Sequence, residues 1–217
     1  MQEAMPVRRC DQPLKPEALP AVIRLRWPRA APRAGVTPAR VEGNAVKKLL
    51  IIIKVFIIAL AAAPGEGSDG GPLPRGAVAD RVVVEKSSRR LTLLRNGSAF
   101  KTYRIALGRS PVGNKEREGD NRTPEGVYRI DRRNARSQYH RSLHISYPTA
   151  LEAERARKRG VSPGGDIMIH GLPRAYARIG SLHRVMDWTA GCIAVTNPEI
   201  EEIWRAVPDG TTIEIKP

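Results

Sequence analysis

The chain has 217 residues, with 37 Lys and Arg against 22 Asp and Glu, a net charge of +15, 41% apolar residues and 5% aromatics. That apolar share excludes a wholly disordered chain. Two cysteines, Cys10 and Cys192, exclude a disulfide-stapled scaffold and a four-thiolate zinc site. Residues 1–63 hold 11 Lys and Arg against 4 Asp and Glu, or +7, and residues 64–217 hold 26 against 18, or +8. Such a balance suits nucleic acid, anionic lipid or an anionic wall polymer, and equally an ordinary solvated surface. No basic helix carries the interleaved aromatics of a nucleic-acid reader, so no nucleic-acid partner is expected.

Residues 1–45 carry seven Pro and seven Arg with no sustained apolar period, and predict no folded unit. Ala45-Val46-Lys47-Lys48 then leads into an apolar stretch of 15 residues, Leu49 to Ala63, interrupted by Lys54 and ending in small residues. Residues 46–63 read as a secretory signal peptide cleaved after Ala63, which places the mature chain in the periplasm or cell envelope. A retained N-terminal membrane anchor is the second reading, although the stretch falls short of the usual span of about 20 residues. A buried core helix is the third. Because an export signal belongs at a chain start, the expected start lies near Val41 or Val46, and residues 1–45 would be a translation artefact. Cys10 falls in that segment and takes no role. Residues 64–77, rich in Gly and Pro, predict a flexible linker, and residues 78–217 one folded domain.

That domain opens with strand signals. Arg81–Lys86 is a β-branched run. Leu91–Leu94 and Phe100–Leu107 flank Arg95-Asn96-Gly97-Ser98, whose Asn-Gly pair predicts a hairpin. Gly126–Ile130 alternates, Asp166–His170 is a short buried-type strand, and Thr211–Ile215 closes the chain with period 2. Leu151–Arg159 predicts a short charged surface helix. Thr196-Asn197-Pro198-Glu199 is a capping box with Pro in the first turn, and Ile200, Ile203, Trp204 and Val207 then mark one apolar helix face. Many short strands with two helices predict a mainly β domain.

Cys192 is the thiol available to this domain, in Asp187-Trp188-Thr189-Ala190-Gly191-Cys192-Ile193-Ala194-Val195. It reads either as an inert core residue or as a nucleophile whose oxyanion would meet the Gly191 and Cys192 N–H groups. His170 is the first candidate partner, because Gly171-Leu172-Pro173 breaks the strand it ends and would expose its ring; a thiolate–imidazolium pair would follow. His183 is the second candidate, with a surface-loop reading beside it. His140 and His144 read as structural or exposed. One thiol is available to this domain, so no zinc site is expected, and no metal or cofactor.

His170-Gly171 followed by Thr189-Ala190-Gly191-Cys192-Ile193, with Arg122-Thr123-Pro124-Glu125-Gly126-Val127-Tyr128 upstream and the hairpin from Leu91 to Gly108, resembles the L,D-transpeptidase catalytic domain (YkuD-type) over roughly residues 80–217. The family pattern sets a His, a gap of about 14 to 17 residues, then Ser/Thr-His-Gly-Cys. Here the gap is 18 residues, Ala190 replaces the second His, and Ala194 stands where Arg commonly follows. The stretch from Asp187 to Trp204 is similar to the YafK-like branch, which includes an enzyme that removes covalently attached lipoprotein from peptidoglycan. The resemblance implies a β-sandwich or barrel-like domain acting on peptidoglycan stem peptides. It implies that Cys192 attacks an amide carbonyl, that His170 acts as base and then acid, and that Gly191 and Cys192 hold the oxyanion. Ser181 or Thr189 would support the site. A wall-attached lipoprotein is a second expected partner, the membrane is met only through an N-terminal anchor, and no cofactor is implied. A non-catalytic wall-binding module is the rival expectation. Tyr147, Arg122 and Asp166 lie in motif stretches but read as fold or turn residues, and Trp188 as packing beside the sulfur.

Overall fold

The computed structural model describes residue 73 and residues 75–217. The expectations for residues 1–45 and 46–63, and for most of the linker, lie outside the described residues. Within them, no helix is long and apolar enough to cross a membrane.

The strands are β1 (Arg81–Glu85), β2 (Arg90–Arg95), β3 (Ser98–Arg104), β4 (Gly126–Ser137), β5 (His140–Ile145), β6 (Met168–His170), β7 (Ile193–Ala194) and β8 (Thr212–Lys216). Helix α1 spans Ala150–Lys158, a 3-10 segment spans Arg174–Val185 and helix α2 spans Asn197–Ala206. The sheet order is β3-β2-β1-β8-β4-β5-β6-β7. Asn96 and Gly97 have φ of 52° and 78°, as the hairpin turn between β2 and β3 demands. β1 pairs with β8 in parallel, so the two ends of the domain lie side by side.

The sheet closes on itself. Just past β3, Ala106 exchanges both backbone hydrogen bonds with Ala194 of β7, at 3.0 and 2.8 Å, and Gly108 bridges to Thr189. The last strand in the order therefore meets the continuation of the first, which gives the barrel-like domain its closure. Alternation along the strands fills the interior: Val82, Val84, Leu91, Leu93, Ile130, Ile145, Ile169, Ile193, Ile213 and Ile215 are all buried. Each such side chain contributes about 1.5–3 kcal/mol when fully buried. Ile200, Ile203 and Ala206 of α2 cover one side of this core.

Two elements differ from the sequence expectation. β4 runs on to Ser137 and β5 follows it, although Asp131–Ser137 shows no apolar alternation; that half of β4 is mostly exposed and held by its ladder to β5. The segment Arg174–Val185, for which no element was predicted, is 3-10 in form and breaks at Gly180. Helix α2 starts from the predicted box, in which Glu199 accepts from Thr196 N and Oγ1 at 2.9 and 2.7 Å. Helix α1 carries a capping box of its own, Thr149 with Glu152.

Candidate active site

Three short pieces of chain build the site. β6 carries His170 at its end. β7 pairs with β6 in parallel, Ile169 against Ile193 and His170 against Ala194. Ile169 and Ile193 enter the main core, so alternation turns His170 and Ala194 to the other face. Cys192 immediately precedes β7, two residues before Ala194. With strands about 4.8 Å apart and a rise of about 3.3 Å per residue, the diagonal between the His170 and Cys192 Cα atoms is about 8 Å.

His170 does not present an exposed ring, as the strand break predicted; it is 2% exposed. Tyr139, from the turn between β4 and β5, lies over the imidazole at 4.4 Å between centroids, and Trp188 meets it edge-on at 5.8 Å. These rings pack with Ala106, Leu172 and Ala194 in a second apolar cluster. Burial lowers the His170 pKa to about 4, against a smaller opposing pull from its hydrogen bond to Gly171. The ring is therefore neutral near pH 7, and the preformed thiolate–imidazolium pair gives way to a neutral imidazole. Nδ1–H donates to the Gly171 carbonyl at 2.7 Å, which leaves Nε2 as the basic nitrogen. Sequence reading missed this role for Gly171. An ideal Cβ there would lie 2.6 Å from Asn197 Oδ1, and Asn197 Oδ1 in turn accepts from Leu172 N at 2.6 Å.

Cys192 is 1% exposed and in no disulfide. Its thiol donates to the Asp166 carbonyl at 3.6 Å. Thr189 fastens the turn before it: Oγ1 donates to the Cys192 carbonyl at 2.8 Å and accepts from Gly191 N at 3.0 Å. The Gly191 N–H is thus already engaged and does not face an oxyanion in this arrangement, contrary to the sequence expectation. Gly191 itself is obligatory, since its φ is +131° and a Cβ would lie 2.6 Å from the Arg122 carbonyl. Asp187 ties the same turn to the first hairpin, accepting from Leu107 N at 2.9 Å and from Arg89 Nη2 at 2.8 Å.

The other candidates divide. Ser181 is exposed on the 3-10 segment and makes no hydrogen bond to Thr189 or Cys192. His183 is buried, not on a surface loop, and its Nδ1 accepts from Trp188 Nε1 at 3.5 Å. His140 pairs with Glu201, and His144 Nδ1 with Asp131, while His144 Nε2 lies 3.8 Å from a carboxylate oxygen of Asp166, the residue whose carbonyl accepts the Cys192 thiol. Among the described residues no three His, Cys, Asp or Glu gather as metal ligands would. Tyr147 donates to the Pro163 carbonyl at 3.0 Å, and Arg122 Nη1 to the Asn114 carbonyl at 3.2 Å, both in loop-holding roles.

Residues 79–215 match the family model described as YkuD, L,D-transpeptidase catalytic domain. The chain belongs to this L,D-transpeptidase catalytic domain family. YafK of Escherichia coli (strain K12), whose name places it among the L,D-transpeptidases, is 31% identical over 109 residues, 49% of this chain and 36% of YafK. The match thus spans about a third of that curated relative's length. Among solved structures, the helical cell shape determining protein Pgp2 from Campylobacter jejuni is 27% identical with a TM-score of 0.49, covering 62% of this chain and 46% of Pgp2. L,D-transpeptidase 1 of Mycobacterium tuberculosis is 15% identical with a TM-score of 0.38, covering 63% and 60%.

Proposed function

We propose that this chain is an exported enzyme of the cell envelope that opens stem-peptide amides of peptidoglycan through an acyl-enzyme on Cys192. The observation that supports this reading is the β6–β7 register, which pairs His170 with Ala194, two residues past Cys192, with His170 Nδ1 held by Gly171. In the first half-reaction the sulfur bonds to the amide carbon and the thiol proton passes to His170 Nε2. The tetrahedral intermediate collapses, the C–N bond breaks, and the imidazolium returns the proton to the leaving amine. An amine or water then attacks the thioester and gives its proton to His170 Nε2; the C–S bond breaks and the proton returns to the Cys192 sulfur, leaving a new cross-link or a free carboxylic acid. The Cys192 N–H is the oxyanion donor of this scheme; Gly191 N–H joins it only by releasing Thr189 Oγ1. A wall-attached lipoprotein enters as the group released in the hydrolytic arm.

The deep burial of both side chains favours a second reading, a wall-binding module that keeps the fold without turnover. Digestion of purified sacculi with wild type and Cys192→Ala side by side separates the two. New L,D-cross-links, or released stem or lipoprotein peptides, that vanish in the variant support the enzyme. Sacculus binding with no product from wild type sinks it. Export is tested by cell fractionation: a mature chain starting near Pro64 in the periplasm supports it, and a cytoplasmic chain overturns it.

A further inference from the structure

His183 sits behind Trp188, on the 3-10 segment, with the two rings nearly perpendicular at 6.4 Å between centroids. The indole N–H can only donate, so its bond to His183 Nδ1 fixes the tautomer: Nδ1 accepts and the hydrogen sits on Nε2. Burial, then Arg184 and His170, hold the His183 pKa down to about 4 despite the opposing pull of Glu199, so the ring is neutral. His183 is 3% exposed, and its Nε2 is buried with no hydrogen-bond partner among the described residues. A buried donor left unpartnered carries its full desolvation penalty. An apolar ring there would avoid that penalty but would leave the Trp188 N–H without its acceptor. What the imidazole alone supplies is an acceptor for the Trp188 N–H. Trp188 stacks on Tyr139 at 6.2 Å and meets His170 edge-on, so fixing the indole fixes one wall of the His170 cage.

We propose that His183 is a positioning residue of the site: it holds Trp188 against His170 and so keeps the His170 ring set toward Cys192. The catalytic consequence rests on the proposed function; the placement of Trp188 does not.

Two variants of the full chain test this. His183→Phe keeps an aromatic ring and loses the acceptor. His183→Asn places an amide oxygen where Nδ1 stood. In His183→Phe the urea midpoint is expected to fall modestly as the Trp188 N–H loses its acceptor, while iodoacetamide alkylation of Cys192 in the folded protein at pH 7 slows about tenfold, the weight of one lost hydrogen bond. The Trp188 indole N–H resonance, assigned with Trp188→Phe, moves upfield. His183→Asn restores both the resonance and most of the rate. An unchanged alkylation rate in His183→Phe overturns the inference, as does a rate lost only in proportion to lost stability with no rescue by His183→Asn. Should wild type leave sacculi untouched while these shifts appear, the proposed function falls and the positioning role stands.

Discussion

Two regions of this domain bury polar side chains, and they treat them in opposite ways. Around the loop from Gly108 to Glu125, every buried charge is fully answered. Lys86 is 2% exposed and its ammonium meets the Gly113 carbonyl at 2.7 Å, the Thr123 carbonyl at 3.1 Å and Glu125 at 2.6 Å. Lys115 meets Asp120 at 2.8 Å and the Arg117 carbonyl at 2.9 Å. Asp120 also takes three backbone N–H groups, and its carboxyl is held below its usual pKa against the pull of burial. Around Trp188 two buried imidazoles each make one hydrogen bond and have aromatic rings for walls. The first region closes its valences and holds a loop. The second keeps nitrogens in reserve, which costs stability and suits chemistry.

Acid should break this contrast most strongly. Both imidazoles have folded pKa values near 4, below the unfolded value of 6.5. Between those values the unfolded chain binds more protons, so stability is fully present above pH 6.5 and falls as pH drops toward 4. The loss is of order 3 kcal/mol per imidazole. Urea midpoints from pH 7 to 4 measure it, and a flat profile contradicts the buried neutral rings. Lys86→Met should cost about 3 kcal/mol, because it strands Glu125 and two carbonyls. It should leave Cys192 alkylation in the folded fraction at the wild-type rate; a rate that fell with it would join the two regions into one. His170→Ala should slow sacculus processing by the folded protein about 100-fold, the usual weight of a general base, beyond the stability lost by emptying the ring cage. Thr189→Val removes the hydroxyl that bridges Gly191 N and the Cys192 carbonyl, and should cost about 1–2 kcal/mol in denaturant unfolding. Ser181→Ala should stay within about 0.5 kcal/mol and leave activity untouched, since Ser181 is exposed. A larger effect would restore it to the site.

Local chemistry made much of the fold readable. The Asn96-Gly97 hairpin, the period-2 strands and the Thr196–Glu199 box each depend on residues a few positions apart, and each stands where its pattern placed it. The second half of β4 was not legible, because Asp131–Ser137 stays in the sheet through pairing with β5 and not through an apolar face. The pairing of His170 with Ala194, two residues past Cys192, follows from a parallel ladder between distant segments, which no local pattern encodes. The burial of His170 escaped for the same reason: Tyr139 comes from 31 positions earlier and Trp188 from 18 positions later. The engagement of Gly191 N–H by Thr189 is a matter of side-chain rotamer, which spacing does not encode.

The barrel closure has a bearing on turnover. β7 is two residues long, yet it is an interior strand, laced to His170 through Val195 N at 2.9 Å on one flank and to Ala106 on the other. The backbone that bears the sulfur cannot peel away without opening the cylinder. On the proposed reading, the entropy of ordering Cys192 is therefore spent during folding, before any substrate binds.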